Sequence, residues 1–383
     1  MRDGLQQSDD LEFWLALNRV AGLGPGRAKC LLEHFGGPRP IFEASESALI
    51  AQNVSPVVRQ SLQSPPWSGV EGDRSWLEGA GHHVVTLADP RYPQRLAEIA
   101  DPPPVLFVSG NLGILAQPQL AIVGSRNPTA AGRDIAGSFS RAFATTGLVV
   151  TSGLALGIDA AAHRGALDGG GHTIAVMGSG AGLVYPHQHR TLAREAAAHG
   201  AVVTEFGVGT PPRAQNFPRR NRVISGLSLG VLVVEAARKS GSLTTARCAL
   251  EQGREVFAIP GSIHNPLAKG CHSLIRAGAK LVETVEDVLE EIAHQCEVQP
   301  TTAPENTWNF DIASGGNPIG LDEDYALLLD SMAYDRVTVD TLVGRTGLTA
   351  EVVSSMLLIL ELKGLVAPEP GGFYSRTARP PQR

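Results

Sequence analysis

Six short apolar runs punctuate the middle of the chain: LAIVGS (120–125), LVVTSG (148–153), HTIAVMGSG (172–180), AVVTEF (201–206), GVLVVEA (230–236) and EVFAIPG (255–261). Their hydrophobic residues come in unbroken succession rather than alternating with polar ones. Strands covered on both faces read this way. Between them lie stretches with helical spacing, among them AAGRDIAGSFSRAFATTG (130–147) and SLTTARCALEQG (242–253). Parallel strands need a crossover of a dozen or more residues, usually a helix, so the alternation predicts an α/β fold: an extended Rossmann-like, doubly wound sheet.

The flanks differ in texture. Residues 11–52 read as short helices broken by glycine (LEFWLALNRV, AGLGPG, RAKCLLEHFG) and predict a helix-hairpin-helix, SAM-like domain over 1–80. Glycines in such a hairpin let backbone N–H groups approach a DNA phosphate, and the same pattern also serves as a plain packing hairpin. Residues 81–118 carry short strands and proline-rich connections, an extension that completes the main domain over 81–295. Residues 296–320 lack periodicity and read as a linker. In 321–376, DYALLLDSMA, VTVDTLVGRTG and TAEVVSSMLLILELKG predict three helices and LVAPEPGGFYSR a two-stranded wing, together a winged helix. The tail from Thr377 is expected to be disordered.

The chain has 383 residues, 43% of them hydrophobic, enough for two or three cored domains. No run approaches the roughly 18 apolar residues of a membrane span, and the opening MRDGLQQSDD has no signal-peptide character, so a cytoplasmic protein without membrane contact is expected. Four scattered cysteines, Cys30, Cys248, Cys271 and Cys296, form no CxxC pair and indicate neither a disulfide framework nor a zinc ribbon. The net charge of −6 argues against a nucleic-acid partner until it is divided: residues 119–290 carry 17 Lys and Arg against 12 Asp and Glu. The remainder of the chain is strongly acidic. A basic domain with acidic flanks is compatible with phosphate binding.

In a parallel sheet, ligands sit at the carboxyl ends of the strands, where helix N-termini offer free N–H groups to anions. The exits here are Gly124, Ser125, Arg126 and Asn127; Ser152 and Gly153; Gly178, Ser179 and Gly180; Lys239, Ser240, Gly241 and Ser242; and Pro260, Gly261 and Ser262. Glycine and serine are ordinary turn residues. Their recurrence across these exits, beside Arg126 and Lys239, points to a surface that an anion can approach closely.

A nicotinamide or flavin enzyme would show GxGxxG after the first strand and an acid ending the second, whereas this chain has GSRNPTAAG and TSG. No GxxxxGK[ST] occurs, which excludes a P-loop ATPase. A nucleoside-monophosphate hydrolase on a related fold would use the same phosphate-facing turns. Its PGGxGTxxE signature is absent, with SGSLTTARCALE in the corresponding place.

The densest basic segment is RAQNFPRRNR (213–222), with Arg213, Arg219, Arg220 and Arg222, the aromatic Phe217, the amide Asn221 and no acid. Guanidinium groups grip phosphates and stack on bases, and an aromatic ring gives a base a platform. NRVISGLS is expected to start a helix from this segment. His187 with His189, and His264 with Cys271 and His272, lack a third ligand at zinc spacing, so no metal and no cofactor is expected. Asp159 and His163 stand four apart and predict a paired, structural contact rather than a catalytic pair.

These residues resemble a known family. GSR (124–126), SGLALGIDAAAHRGAL (152–167), YP (185–186), FPRRNRVISGLS (217–228), EAARKSGSLTTARCALEQGREVFAIPG (235–261) and GCHSLIRAGAKLV (270–282) are similar in order and spacing to the DprA/Smf pattern. The resemblance implies a non-catalytic protein that binds single-stranded DNA, forms a homodimer through the Rossmann-like domain and loads the RecA recombinase during natural transformation. Carried over by position, the pocket comprises Arg126, Phe217, Arg220, Asn221, Arg222 and Lys239 to Ser242, with Lys269 where some members are basic. Leu156 departs from the pattern, since many members carry arginine there. In the winged helix, TAEVVSSMLLILELKG holds one basic residue, Lys363, beside two glutamates, so this module is expected to bind protein or to regulate rather than to read duplex DNA.

Overall fold

A computed structural model describes residues 3–295, 323–332 and 336–377. The expected linker over 296–320 lies outside them, as do residues 378–383. Six helices come first: α1 (Asp3–Asn18), α2 (Pro25–Phe35), α3 (Pro38–Glu43), α4 (Glu46–Ala51), α5 (Pro56–Gln63) and α6 (Trp67–Leu77). Proline opens α2, α3 and α5, where its missing N–H removes no helical bond. Ser45 and Ser55 cap α4 and α5.

The main sheet has nine strands in the order β1-β2-β6-β5-β4-β3-β7-β8-β9. Strands β3 (Gln119–Val123), β4 (Val149–Ser152), β5 (Thr173–Val176), β6 (Ala201–Thr204), β7 (Gly230–Val233) and β8 (Glu255–Ala258) correspond to the six apolar runs. They pair in parallel. The extension supplies β1 (His82–Thr86) and β2 (Val105–Gly110), which continue the sheet antiparallel beyond β6. A two-residue β9 (Lys280–Leu281) closes the other edge. The connecting helices are α7 (Gln94–Ala97), α8 (Ala130–Thr145), α9 (Ile158–Asp168), α10 (Arg190–Ala198), α11 (Asn216–Leu227), α12 (Ser242–Glu251), α13 (Lys269–Arg276) and α14 (Val285–Ile292).

Both sheet faces are covered, which is why the strands are hydrophobic throughout. One layer packs Val223, Ile224, Leu227, Ala246 and Ala249 of α11 and α12 against Val123, Val176 and Val233. The other packs Phe139 and Phe143 of α8 and Ile158 of α9 against Ile122, Val150 and Leu232. Fully burying side chains of this size contributes about 1.5–3 kcal/mol each.

The N-terminal helices share one core with the extension: Trp14, Leu15, Leu31 and Ile41 pack together with Val105, Phe107 and Ala181. The joint is pinned by Arg19, which donates to both carboxylate oxygens of buried Asp73 at 2.6 Å and to the carbonyl of Val208. In the glycine turn before α2, Ala21, Gly22 and Gly24 are exposed. Just past it, within α2, Gly26 lies against Ala100 and Asp101, and Lys29 donates to the Ile99 carbonyl, which docks the start of α2 on the extension.

At the C-terminus, α15 (Glu323–Met332), α16 (Val339–Thr346) and α17 (Ala350–Leu362) precede the wing strands β11 (Val366–Glu369) and β12 (Phe373–Arg376). A short β10 (Val337–Thr338), not anticipated from the sequence, pairs with β12 to give a three-stranded sheet. Gly371 and Gly372, both at positive φ, make the turn of the wing. Thr377 corrects the expected start of the tail: its N–H donates to Leu365 and its hydroxyl to Gly364, extending the wing by one ordered residue.

Candidate nucleic-acid interface

The basic segment is itself helical. Helix α11 begins at Asn216, ahead of Arg219, Arg220 and Arg222, whereas the sequence suggested a start at Asn221. Pro218 is tolerated because it lies in the first turn, where backbone N–H groups have no helical partner. A helix turns about 100° per residue, so neighbours in sequence part company. Phe217, Arg220 and Asn221 stand at i, i+3 and i+4 on one face, while Arg219 and Arg222 stand three apart on another.

The first face builds a cleft at the carboxyl ends of β3, β4 and β5. Arg126, Gly153, Ala155, Leu156, Tyr185, Pro186, Phe217 and Arg220 enclose a pocket of about 60 Å³. Arg126 is exposed and its guanidinium lies 5.5 Å from the centre of the Phe217 ring, a cation–π distance. Tyr185, 45% exposed, sits 5.9 Å from the same ring. Arg220 is buried at the back of the pocket. Its Nη1 donates to the carbonyls of Gly153 and Val176, and its Nε to Asn221 Oδ1. Burial pushes its pKa down to about 10, with Asp159 pulling the other way, so it keeps its charge at neutral pH. Gly153 is required at this approach: a Cβ there would collide with the Arg220 guanidinium.

The floor of the cleft, residues 153–155, is held from below. Asp159 accepts from Gly153 N–H at 3.1 Å and from Ala155 N–H at 3.3 Å. Leu154 adopts φ +57°, a left-handed conformation uncommon outside glycine, and both its backbone groups are engaged by histidines. His163 Nε2 accepts its N–H, and His189 Nδ1 donates to its carbonyl. Because the Thr173 hydroxyl donates to Val150, it accepts from His163 Nδ1–H, which sets the neutral tautomer of that ring. Burial lowers the His163 pKa to about 3, aided by His189 and Arg220. Asp159 and His163 do not form the pair the sequence suggested. They bond to a shared turn and not to each other. Burial raises the Asp159 pKa against the opposing pull of Arg220 and the two backbone donors.

The other sequence candidates are scattered around this cleft. Ser152 is fully buried and donates to the Ile122 carbonyl at 2.6 Å, which removes it from the cleft surface. Gly124 and Ser125 shape the turn that carries Arg126: a side chain at Gly124 would strike Ile158 and the Glu235 carbonyl, and Ser125 accepts from Asn127 N–H. Arg219 and Arg222 both reach Glu205, at 3.0 and 2.6 Å, and Arg222 also binds Asp101. Arg222 is buried there, away from the cleft lining. Asn221 donates to Gly241 O at 3.2 Å, tying the cleft to the turn of Lys239, Ser240, Gly241 and Ser242. The Ser240 and Ser242 hydroxyls lie 2.7 Å apart, and Lys239 is exposed. Lys269 is exposed at the start of α13.

The N-terminus of α8, where a dinucleotide-binding fold seats its pyrophosphate, is filled by the chain's own carboxylates. Glu235 accepts from the N–H and hydroxyl of Thr129, and Glu369 of the wing accepts from Ala130 N–H at 3.2 Å. Cationic reach toward an anion therefore falls to Arg126 and Arg220. Sequence reasoning passed over Ala155, Leu156, Tyr185 and Pro186 as lining residues. The exposed aromatic of the YP pair, in a glycine-rich loop after β5, was the available signal. It also passed over Glu205, the buried acid that captures two of the four arginines. Among the described residues, no three His, Cys, Asp or Glu side chains come together as a metal set.

A family model described as DNA recombination-mediator protein A matches residues 83–293, and the DprA winged helix domain matches 313–372. Protein Smf of Escherichia coli is 41% identical over 367 residues, 95% of each chain. DNA processing protein DprA of Streptococcus pneumoniae is 47% identical over 206 residues, 54% of this chain and 73% of that one. The X-ray structure of the Streptococcus pneumoniae protein superposes with TM-score 0.65 at 36% identity, covering 73% of this chain and 97% of that one. A Helicobacter pylori DNA processing protein A, solved to explain its single-stranded DNA binding mode, gives 0.51 at 26% identity over 56% and 96%. By sequence across nearly its whole length and by fold, this chain belongs to the DNA recombination-mediator protein A (DprA/Smf) family.

Proposed function

We propose that this protein binds single-stranded DNA in the cleft formed by Arg126, Phe217, Tyr185 and Arg220. The observation that carries the reading is the convergence of two guanidiniums with two aromatic rings at one strand-end pocket. Such a set holds a phosphate and stacks a base without reading its identity. The pocket's 60 Å³ is well below the ~300 Å³ of small-ligand sites, so a base enters only as Arg126 swings off Phe217. The lining contains no carboxylate or histidine to act as a general base, which favours binding over the hydrolase alternative.

Membership of this family supports a fuller reading in which a cytoplasmic homodimer hands the strand to RecA during DNA uptake and recombination. Exposed Leu250 on α12, Ile263 after β8 and Leu281 on the edge strand β9 offer apolar surface for a dimer contact at that end of the sheet. The winged helix fits a protein-facing role, since α17 exposes Val352, Leu358, Ile359 and Leu362 and carries no basic residue before Lys363 at its C-terminal end. Fluorescence anisotropy of labelled oligonucleotides tests the central reading. Single strands should bind more tightly than duplexes, with affinity falling steeply as salt rises. Equal or absent binding would overturn it. Acceleration of RecA filament growth on the bound strand tests the loading step.

A further inference from the structure

A second, larger cavity lies where the N-terminal helices, the sheet extension and α10 meet, and the DNA reading makes no use of it. Its volume is about 360 Å³, within the range of sites that hold one small molecule and too small for a run of nucleotides. Phe107 and Met177 form an apolar floor. One wall is a rigid aromatic plate: Trp76 and His82 stack with ring centres 4.1 Å apart and planes 8° from parallel, pinned by the bond between His82 Nδ1 and the Trp76 carbonyl. At the rim stand Arg190 and Arg194, one turn apart on α10. Both are exposed, and neither has an ion-pair or hydrogen-bond partner for its guanidinium among the described residues. No acidic residue lines the cavity.

We propose that this cavity is a binding site for a single nucleotide, its base against the apolar and aromatic interior and its phosphate on Arg190 and Arg194. A flat, weakly polar ring suits the interior, and two guanidiniums at i and i+4 suit a phosphate outside it. The loop from Ala181 to Arg190 serves both sites: Leu183, Val184 and Arg190 line the cavity, while Tyr185 and Pro186 line the DNA cleft. The nucleotide is either free or one unit of a strand leaving the cleft. The free arm stands without the DNA reading, and the strand arm rests on it.

Calorimetric titration of the full chain with deoxyadenosine monophosphate, beside anisotropy with labelled oligo-dT, tests the site. The variants are the exposed pair Arg190→Glu with Arg194→Glu, the volume-adding Ala197→Leu in the lining, and Arg126→Ala as the cleft control. Saturable uptake weakened about tenfold or more by the double variant and by Ala197→Leu, with Arg126→Ala near wild type, supports a free-nucleotide site. Oligo-dT affinity lowered about fivefold or more by the double variant assigns the site to the strand. Uptake abolished by Arg126→Ala and untouched by the double variant overturns the proposal and leaves the DNA reading standing. The proposal also falls if the wild type takes up no mononucleotide and the double variant binds oligo-dT unchanged.

Discussion

The guanidinium of Arg126, at the exit of β3, lies 5.5 Å from the centre of the Phe217 ring in the first turn of α11. The two residues come from well-separated parts of the sheet domain's sequence, and the stack closes the mouth of a pocket whose back wall is Arg220. Exposure separates the two arginines. Arg126 is free to follow a ligand, whereas Arg220 is fixed by the Gly153 and Val176 carbonyls.

Arg126→Ala should therefore leave thermal stability unchanged and weaken binding to single strands of any sequence by about 1–2 kcal/mol, reducing the salt slope by roughly one phosphate contact. Phe217→Ala should cost about 1–3 kcal/mol of affinity with the salt slope preserved, because it removes stacking and no charge. Anisotropy across a salt series checks both. Identical salt slopes for wild type and Arg126→Ala would argue that Arg126 does not meet phosphate.

Arg222 gives the contrasting case. It is buried in a pair with Glu205 and bonded to Asp101, and the Glu205 Oε1 already lacks a partner. Arg222→Met should destabilise the fold by about 3 kcal/mol, the low end for a broken buried pair, since it leaves the buried Glu205 carboxylate only the half-exposed Arg219. Affinity of the folded fraction for single strands should stay within about twofold of wild type. Denaturant unfolding and anisotropy at a temperature where both proteins are folded give the two readouts. A large affinity loss with unchanged stability would return Arg222 to the interface.

Much of this was legible in the chain. Unbroken runs such as GVLVVEA announce strands covered on both sides, and the glycine and serine exits announce where a ligand sits. The split of the 213–222 arginines was not legible while the segment was taken as a loop, because a loop gives no rule for which side chains share a face. Once Asn216 starts the helix, the 100° step separates Arg220 from Arg219 and Arg222. Glu205 and Glu235 were hidden for a different reason: a single acid ending an apolar strand reads as a turn residue until the fold brings its partners to it, Arg219 and Arg222 from the following helix for Glu205 and Thr129 from far back in the chain for Glu235. Ser152 likewise matched the pattern of an exposed exit, and only the neighbouring β3 carbonyl shows where its hydroxyl goes.

His163 makes stability depend on acid. Its folded pKa of about 3 lies below the ordinary value of 6.5, so the unfolded chain binds the proton first. The stabilisation is complete above pH 6.5 and is lost as pH falls toward 3. A proton on Nε2 would also set an N–H against the Leu154 N–H that it now accepts. Asp159, whose pKa is raised by burial, titrates in the opposite sense, so the comparison must be between variants. His163→Asn should unfold at lower temperature than wild type at pH 7, with the difference shrinking as pH falls through 6 to 4. A constant gap across that range would assign the acid sensitivity elsewhere.

Glu369 joins the winged helix to the sheet domain, accepting from Ala130 N–H at the start of α8 while Arg336 lies 3.9 Å from its other oxygen. A carboxylate on a helix N-terminus is favoured by the helix dipole and by a charge-assisted bond, together about 1–2 kcal/mol. Glu369→Ala should loosen the wing, and hydrogen exchange should quicken at the Ala130 amide and across 366–376 while α15 to α17 keep their protection. The bond lies outside the lining of the DNA cleft. Removal of residues 321–383 should accordingly keep single-strand affinity within about threefold of the full chain. Loss of nearly all affinity on that deletion would make the wing part of the DNA site, and unchanged exchange at Ala130 in Glu369→Ala would show that the carboxylate does not hold the wing.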